Sequence, residues 1–417
     1  MQCAAYYEHD HRTRMSQISV LSLDGGGTFA CVLALALERL FPSTTGRDIL
    51  SKFDLVAANS GGSIVLAALL ANFSPSDVAA FYSDPATVRK MYCPRWCSAF
   101  KNTFLRPLFP PYSSDGKRAA LAKLLDDRCS EGERLPSSIP LAEWPSILGT
   151  DLALLITAYD YDSERGAFFR STARAGDIEA ERRCDVPIID AVHASTQGPI
   201  LYYGKPAAVA GRRYWDGGLA GYNNPVLAAV IEAMSEHPNR VDDIRVLSIG
   251  TGTIARAPYG QDAPRPFARA TSTCLGAQLK KVAGAVLADP PCAATFHAHM
   301  ALDGGRASET ARKSHLVRLS PFVRPRRDQQ QSWQPPRGLT TEEFKSLAGM
   351  KADTMRESDL RLIGKMSQLW IDGLVENEPV LISSSPSFDI GDRTFDDARA
   401  HWNAIQGDRT SPAAKIT

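Results

Sequence analysis

The chain has 417 residues, with 47 Lys and Arg against 46 Asp and Glu, for a formal net charge of +1. So even a balance projects no long-range field and argues against a dedicated nucleic-acid binder. A composition of 44% hydrophobic and 22% charged residues excludes disorder as the main state, and the length fits one large domain with additions or two to three smaller ones.

Segment 1–15 is polar, lacks the apolar region of a secretory signal and reads as a flexible arm. Ile18-Ser-Val-Leu-Ser-Leu23 is a short β-branched and apolar run, which predicts a buried strand. It stops at Asp24-Gly25-Gly26-Gly27, and a helical pattern follows through Cys31, Val32, Leu33, Leu35, Leu37 and Leu40. Phe53 to Ala58 predicts a second strand, which turns at Asn59-Ser60-Gly61-Gly62 into an Ala/Leu-rich helix over Ser63 to Asn72. Strand–helix–strand–helix is the order of an α/β fold, so three layers around a mainly parallel central sheet are expected. The longest apolar stretch, Ile64 to Phe73, is well short of the roughly 20 residues that span a bilayer.

Further strands are expected at Leu152 to Tyr159 and Arg245 to Ile249, with a helix at Ile188 to Ser195 that runs into a loop at Gly198-Pro199. Segment 321–338, rich in Pro and Gln, reads as a linker. Thr340 and Glu343 form a capping-box signature that starts a helix. Leu360, Ile363, Leu369 and Trp370 predict another that ends near Gly373. The organisation expected is a catalytic domain over 16–252, a largely helical extension over 253–382, and a polar tail over 383–417 with a short helix around Phe395 to Trp402. The 8 cysteines include no Cys-x-x-Cys, so neither a disulfide framework nor a zinc knuckle is indicated, and a soluble, cytoplasmic protein without metal or cofactor is expected.

Three segments carry chemistry. Gly25, Gly26 and Gly27 sit between a strand and a helix, where their N–H groups form a cradle for an anion, either a bound phosphate or a developing oxyanion. As a dinucleotide fingerprint the turn fails at Ala30, and as a P-loop it lacks the Gly-Lys pair. Ser60 lies on a strand-to-helix turn with small residues Ala58 and Gly62 two positions either side, the requirement of an elbow that exposes a nucleophilic Oγ. Asp216 ends a strand before Gly217-Gly218 and is followed by Asn223-Asn224-Pro225, so its carboxylate can project into a cleft.

Taken in order, Asp-Gly-Gly-Gly, a serine elbow about 35 residues on, Ala194-Ser195 with Pro199 and Tyr202, and Asp-Gly-Gly with Asn-Asn-Pro resemble the patatin-like phospholipases across residues 16 to about 252. The resemblance implies a lipid acyl hydrolase with a lipid or phospholipid substrate and no catalytic histidine. Ser60 would be the nucleophile, Asp216 the base, and the N–H groups of Gly25, Gly26 and Gly27 the oxyanion hole. The sequence departs from the family pattern at Ala58, at Phe29-Ala30 (where the family has a cation and then Gly), and in an Asp216–Asn223 span one residue longer. Two alternatives go with these departures: a catalytically silent relative that holds a phosphorylated ligand, and a phospholipase effector gated by a cyclic nucleotide through its C-terminal extension. Related effectors also leave peripheral membrane contact and non-classical secretion open.

Competing residues are weaker. Asp303-Gly304-Gly305 lacks a preceding strand and reads as a turn. For a Ser–Asp–His triad, His237, His297, His299, His315 and His401 qualify by order alone; His297 and His299 have no Glu at helical metal-ligand spacing, and all read as solvated or satisfied core histidines. The stretch 89–112 interleaves Tyr92, Trp96, Phe100, Phe104, Phe109 and Tyr112 with Arg and Lys, which suits a lid or membrane-interface contact as well as an ordinary packed insertion.

Overall fold

A computed structural model describes residues 17–95, 110–130, 132–172, 183–199, 202–257, 262–269, 274–303, 314–380 and 390–406. The N-terminal arm, most of the 89–112 stretch and both ends of the polar tail lie outside the described residues.

The strands are β1 (Ile18–Leu23), β2 (Leu55–Ala58), β3 (Ala153–Asp160), β4 (Arg165–Arg170), β5 (Ala207–Val209), β6 (Arg212–Asp216), β7 (Ile244–Ile249), β8 (Thr253–Ile254), β9 (Leu316–Leu319), β10 (Pro321–Val323), β11 (Arg326–Arg327), β12 (Trp333–Gln334) and β13 (Glu376–Asn377). The α-helices before β3 are α1 (Cys31–Leu40), α2 (Gly46–Leu50), α3 (Gly61–Leu70), α4 (Pro75–Ser83), α5 (Pro85–Tyr92), α6 (Ser114–Asp126) and α7 (Trp144–Leu148). Those after it are α8 (Ile188–Ser195), α9 (Val226–Glu236), α10 (Leu275–Asp303), α11 (Thr341–Gly349), α12 (Glu357–Ile371) and α13 (Phe395–Ile405).

The main sheet is 8-stranded in the order β5-β6-β3-β2-β1-β7-β9, with β4 paired to β3. Its centre is parallel: β3, β2, β1, β7 and β9 all run the same way. Alternation along the strands creates the layers. Leu21, Leu23, Val56, Ala58, Leu154 and Ile156 face one core with α1, α3, α8 and α12. Ile18, Val20, Leu55, Ala57, Ala153 and Leu155 face a second core with α9 and α10. Each fully buried Leu or Val contributes roughly 1.5–3 kcal/mol, so both faces hold the sheet. The expected three-layer α/β fold with a mainly parallel sheet is therefore observed.

The boundary expected at 252 falls inside this sheet, because β9 pairs with β7 from beyond it. The proline-rich stretch 321–338, expected as a linker, carries β10, β11 and β12. Its Pro residues sit where the short strands tolerate a missing N–H: Pro321 starts β10, and β11 and β12 pair only with each other. The Thr340–Glu343 capping box forms as expected, with Glu343 N–H donating to Thr340 Oγ1 (3.1 Å) and Thr340 N–H to Glu343 Oε2 (2.8 Å). Among the described residues no helix is long and apolar enough to cross a membrane.

The register along β3 brings two turns together. β2 pairs with β3 along 153–156, β6 pairs with β3 along 158–160, and β4 covers β3 along 155–160. Since β4 takes the opposite edge, β2 and β6 share one edge of β3, end to end. β2 is parallel and β6 antiparallel to β3, so their C-terminal ends meet.

Candidate active site

The turn after β2 meets the turn after β6. At the first, Ser60 adopts φ 46° and ψ −118°, then caps the N-terminus of α3. A non-glycine residue held there costs on the order of 1–3 kcal/mol, repaid by the surrounding contacts. Asn59 N–H donates to Leu23 O (3.1 Å) and Ser60 N–H to Ser195 Oγ (2.8 Å), which fixes the elbow from β1 and α8. Ala58, the departure from glycine, is fully buried, so its Cβ is accommodated in the core.

At the second turn, Asp216 N–H donates to Gln197 O (2.9 Å), and Asp216 Oδ1 accepts from Gly218 N–H (2.8 Å) and Asn59 Nδ2 (3.1 Å). The Asn59 side chain bridges the two turns; its Oδ1 accepts from Thr157 Oγ1 at 2.7 Å. Burial pushes the Asp216 carboxyl above the usual carboxylate range; hydrogen bonds from the Ser60 hydroxyl, Gly218 N–H and Asn59, with the charge of Lys117, pull it back.

The glycine turn closes the third side. Asp24 is clamped by Arg318 of β9 through two hydrogen bonds of 3.0 and 2.6 Å. A Cβ on Gly25 would lie 2.4 Å from Asn223 Oδ1 and 3.1 Å from Ser60 Cβ, so only glycine lets the turn come this close to the elbow. Gly25 N–H donates to Asn223 O (2.8 Å), which takes it out of the expected cradle. Among the described residues no acceptor takes the N–H of Gly26 or Gly27. Gly27 has φ 59°, and a Cβ on it would strike Ala352 O at 2.2 Å. That same carbonyl accepts from Thr28 N–H (2.8 Å), Thr28 Oγ1 (3.0 Å) and Tyr92 OH (2.9 Å).

A cavity of about 50 Å³ opens on Ser60 and Gly27, walled by Ile64, Tyr82, Tyr92, Leu121 and Tyr203, with Lys117 as its charged group. Phe29, which stands where the family has a cation, packs half-buried against the core instead. Gly217 and Gly218 open the short 3-10 turn behind Asp216, and Gly61 and Gly62 begin α3 behind Ser60.

Of the competing residues, Asp303, His299 and His401 are engaged away from the elbow. Asp303 accepts from Ser314 Oγ (2.8 Å) and pairs with His299 (2.9 Å). His401 is held between Asp392 Oδ2 (2.9 Å) and Ser314 O (3.0 Å), a buried polar cluster of the kind expected of core histidines. Among the described residues no group of His, Cys, Asp and Glu could hold a metal ion. Two site residues escaped sequence reasoning, Lys117 and Arg318. Each had a signal: Lys117 shares a stripe with Leu121 and Leu125, and Arg318 interrupts the apolar run of β9.

The patatin-like phospholipase family model matches residues 21–230. The chain is 26% identical over 258 residues to an intracellular phospholipase A2 of Caenorhabditis elegans, which covers 58% of this chain and 20% of that protein. It is 27% identical over 246 residues to a cGAMP-activated phospholipase of Pseudomonas aeruginosa, covering 58% of this chain and 64% of that one. The chain thus spans less than two thirds of the length of either relative. Among solved structures, VipD from Legionella pneumophila aligns over 84% of this chain and 67% of that chain, at 12% identity and a TM-score of 0.33.

Proposed function

Since this chain belongs to the patatin-like phospholipase family, with the match running over residues 21–230, we propose that it hydrolyses carboxylic esters of lipids through an acyl-serine intermediate, with Ser60 as nucleophile and Asp216 as base. The observation that supports this reading is the head-on meeting of β2 and β6, which brings the Ser60 elbow and the Asp216 turn together, with Asn59 Nδ2 donating to Asp216 Oδ1 (3.1 Å) between them.

The chemistry follows from those groups. Asp216 takes the hydroxyl proton as Ser60 Oγ attacks the ester carbonyl carbon. The carbonyl oxygen becomes an oxyanion, received by the free N–H groups of Gly26 and Gly27. Collapse expels the alcohol as an alkoxide, which recovers the proton from Asp216. Water, deprotonated by the same carboxylate, then attacks the acyl-enzyme; the carboxylic acid leaves as Ser60 Oγ departs and takes the proton back from Asp216. Aspartate is a weak base, and burial raises its affinity for the proton toward what the step needs. The cavity beside Ser60 carries the apolar side chains Ile64, Met91 and Leu121, as the acyl side of a lipid ester requires.

Turnover of p-nitrophenyl esters and labelling by a fluorophosphonate test the proposal. Ser60→Ala is expected to abolish labelling and cut turnover at least about 10³-fold, with a comparable loss in Asp216→Asn. Ester turnover that persists in Ser60→Ala overturns the assignment. A wild-type protein that binds a phosphorylated ligand but never labels supports the silent-relative alternative instead.

A further inference from the structure

Lys117 is buried, with 2% of its surface exposed, in the first turns of α6. Its Nζ donates to His193 O (3.1 Å), Thr196 Oγ1 (2.8 Å) and Gln197 Oε1 (2.8 Å), and sits 4.4 Å over the Tyr203 ring. An ammonium has three protons, so every one is engaged and none remains for a substrate. Burying such a charge is expensive, and an apolar side chain of the same volume would serve the fold as well or better. The stripe it shares with Leu121 and Leu125 is where a leucine is expected. The charge therefore has some other use.

Its acceptors identify that use. All three lie at or just beyond the C-terminal end of α8, on the 193–197 turn. That turn makes the backbone contacts of both candidate catalytic residues: Ser195 Oγ accepts from Ser60 N–H (2.8 Å), and Gln197 O accepts from Asp216 N–H (2.9 Å). The Gln197 side chain is held at its other end by Ser114 Oγ (2.9 Å) and Lys205 O (2.6 Å). We propose that Lys117 is a positioning residue: its ammonium ties the 193–197 turn in place, so that Ser60 and Asp216 keep their register. While charged, the lysine also pulls the Asp216 carboxyl down. This rests on the serine–aspartate reading of the site.

The groups that face this pair are few. Asp216 feels Lys117 from α6 and Tyr203 from the loop before β5; burial pushes the Lys117 ammonium well below its usual range and the Asp216 charge pulls it back up, while His193 from α8 is itself kept neutral by burial. The lysine is thus a cation that acts on Asp216, in a chain whose glycine turn carries Phe29 in place of a basic residue.

Three variants test the inference, each read as a pH profile of kcat/KM on a soluble ester, with fluorophosphonate labelling and a melting curve alongside. Lys117→Met removes the charge, and the acid limb that reports Asp216 moves up by about one pH unit or more. Lys117→Arg keeps the charge and restores the limb to its wild-type place, even where altered geometry lowers the rate. Thr196→Val keeps the charge but deletes one acceptor; labelling slows about tenfold with the limb unmoved. A residue that only held the fold would lower the melting point without moving the limb. An unmoved limb in a folded Lys117→Met protein overturns the inference. If that variant does not fold, undiminished labelling of Thr196→Val does so. Loss of the premise looks different: wild-type turnover would then survive Ser60→Ala.

Discussion

Replacing Arg318 by Met isolates the ion pair behind the glycine turn. The Arg318 and Asp24 side chains are each 5% exposed, joined by hydrogen bonds of 3.0 and 2.6 Å, with Ser248 Oγ at 2.8 Å and Glu378 at 3.6 Å. Methionine fills much of the same volume but leaves two buried carboxylates facing each other without a cation. Removing one partner of such a pair costs about 3–5 kcal/mol, against a total stability of about 5–15 kcal/mol. The cost depends on pH in a definite direction. Burial already pushes Asp24 up to about 6 with the arginine present, and without it the carboxyl binds a proton more tightly still. A group whose folded pKa is raised contributes stability at low pH and loses it as pH rises through that pKa, by about 1.4 kcal/mol per unit. Urea unfolding should therefore show a large loss at pH 7.5 and a clearly smaller one at pH 5. Asp24→Asn in the same chain should recover part of the loss. A deficit under about 1 kcal/mol, equal at both pH values, refutes the view that Arg318 compensates a buried charge.

Two other outcomes are expected. Ser60→Gly should be more stable than Ser60→Ala by about 1 kcal/mol in chemical denaturation, because only glycine adopts φ 46° without strain; an alanine variant as stable as the glycine one removes the strain argument. His401 is buried, which opposes its charge, yet its hydrogen bond to Asp392 raises its pKa above 6.5. Its contribution is then present below that pH and lost as pH rises through the folded value. The stability gap between wild type and Asp392→Asn should be widest below pH 6.5 and narrow toward pH 8, and a gap that widens with pH would contradict the pairing.

The candidate site was legible because its residues are local. Asp24 to Gly27, Asn59 to Gly62 and Asp216 to Gly218 each begin at or directly after the end of a strand, and turn chemistry is written in adjacent residues. The engagement of Gly25 N–H by Asn223 was not legible, since the acceptor lies 198 positions away and is a backbone carbonyl, which no side-chain pattern reports. Lys117 and Arg318 read as solvated cations by default, and only their places in apolar patterns mark them as buried. The strands within 321–338 were hidden by proline content, which speaks against long strands but not against two- or three-residue ones in which proline is the first residue or flanks the strand.

The Ala352 carbonyl that grips Thr28 and Tyr92 has a practical corollary. Anyone trimming this gene to residues 21–230, the span of the family match, would discard that oxygen together with β9 and its guanidinium. The shortened product would keep every signature residue and still have lost the props beneath its glycine turn, so its silence in an enzyme assay would say nothing about the intact polypeptide.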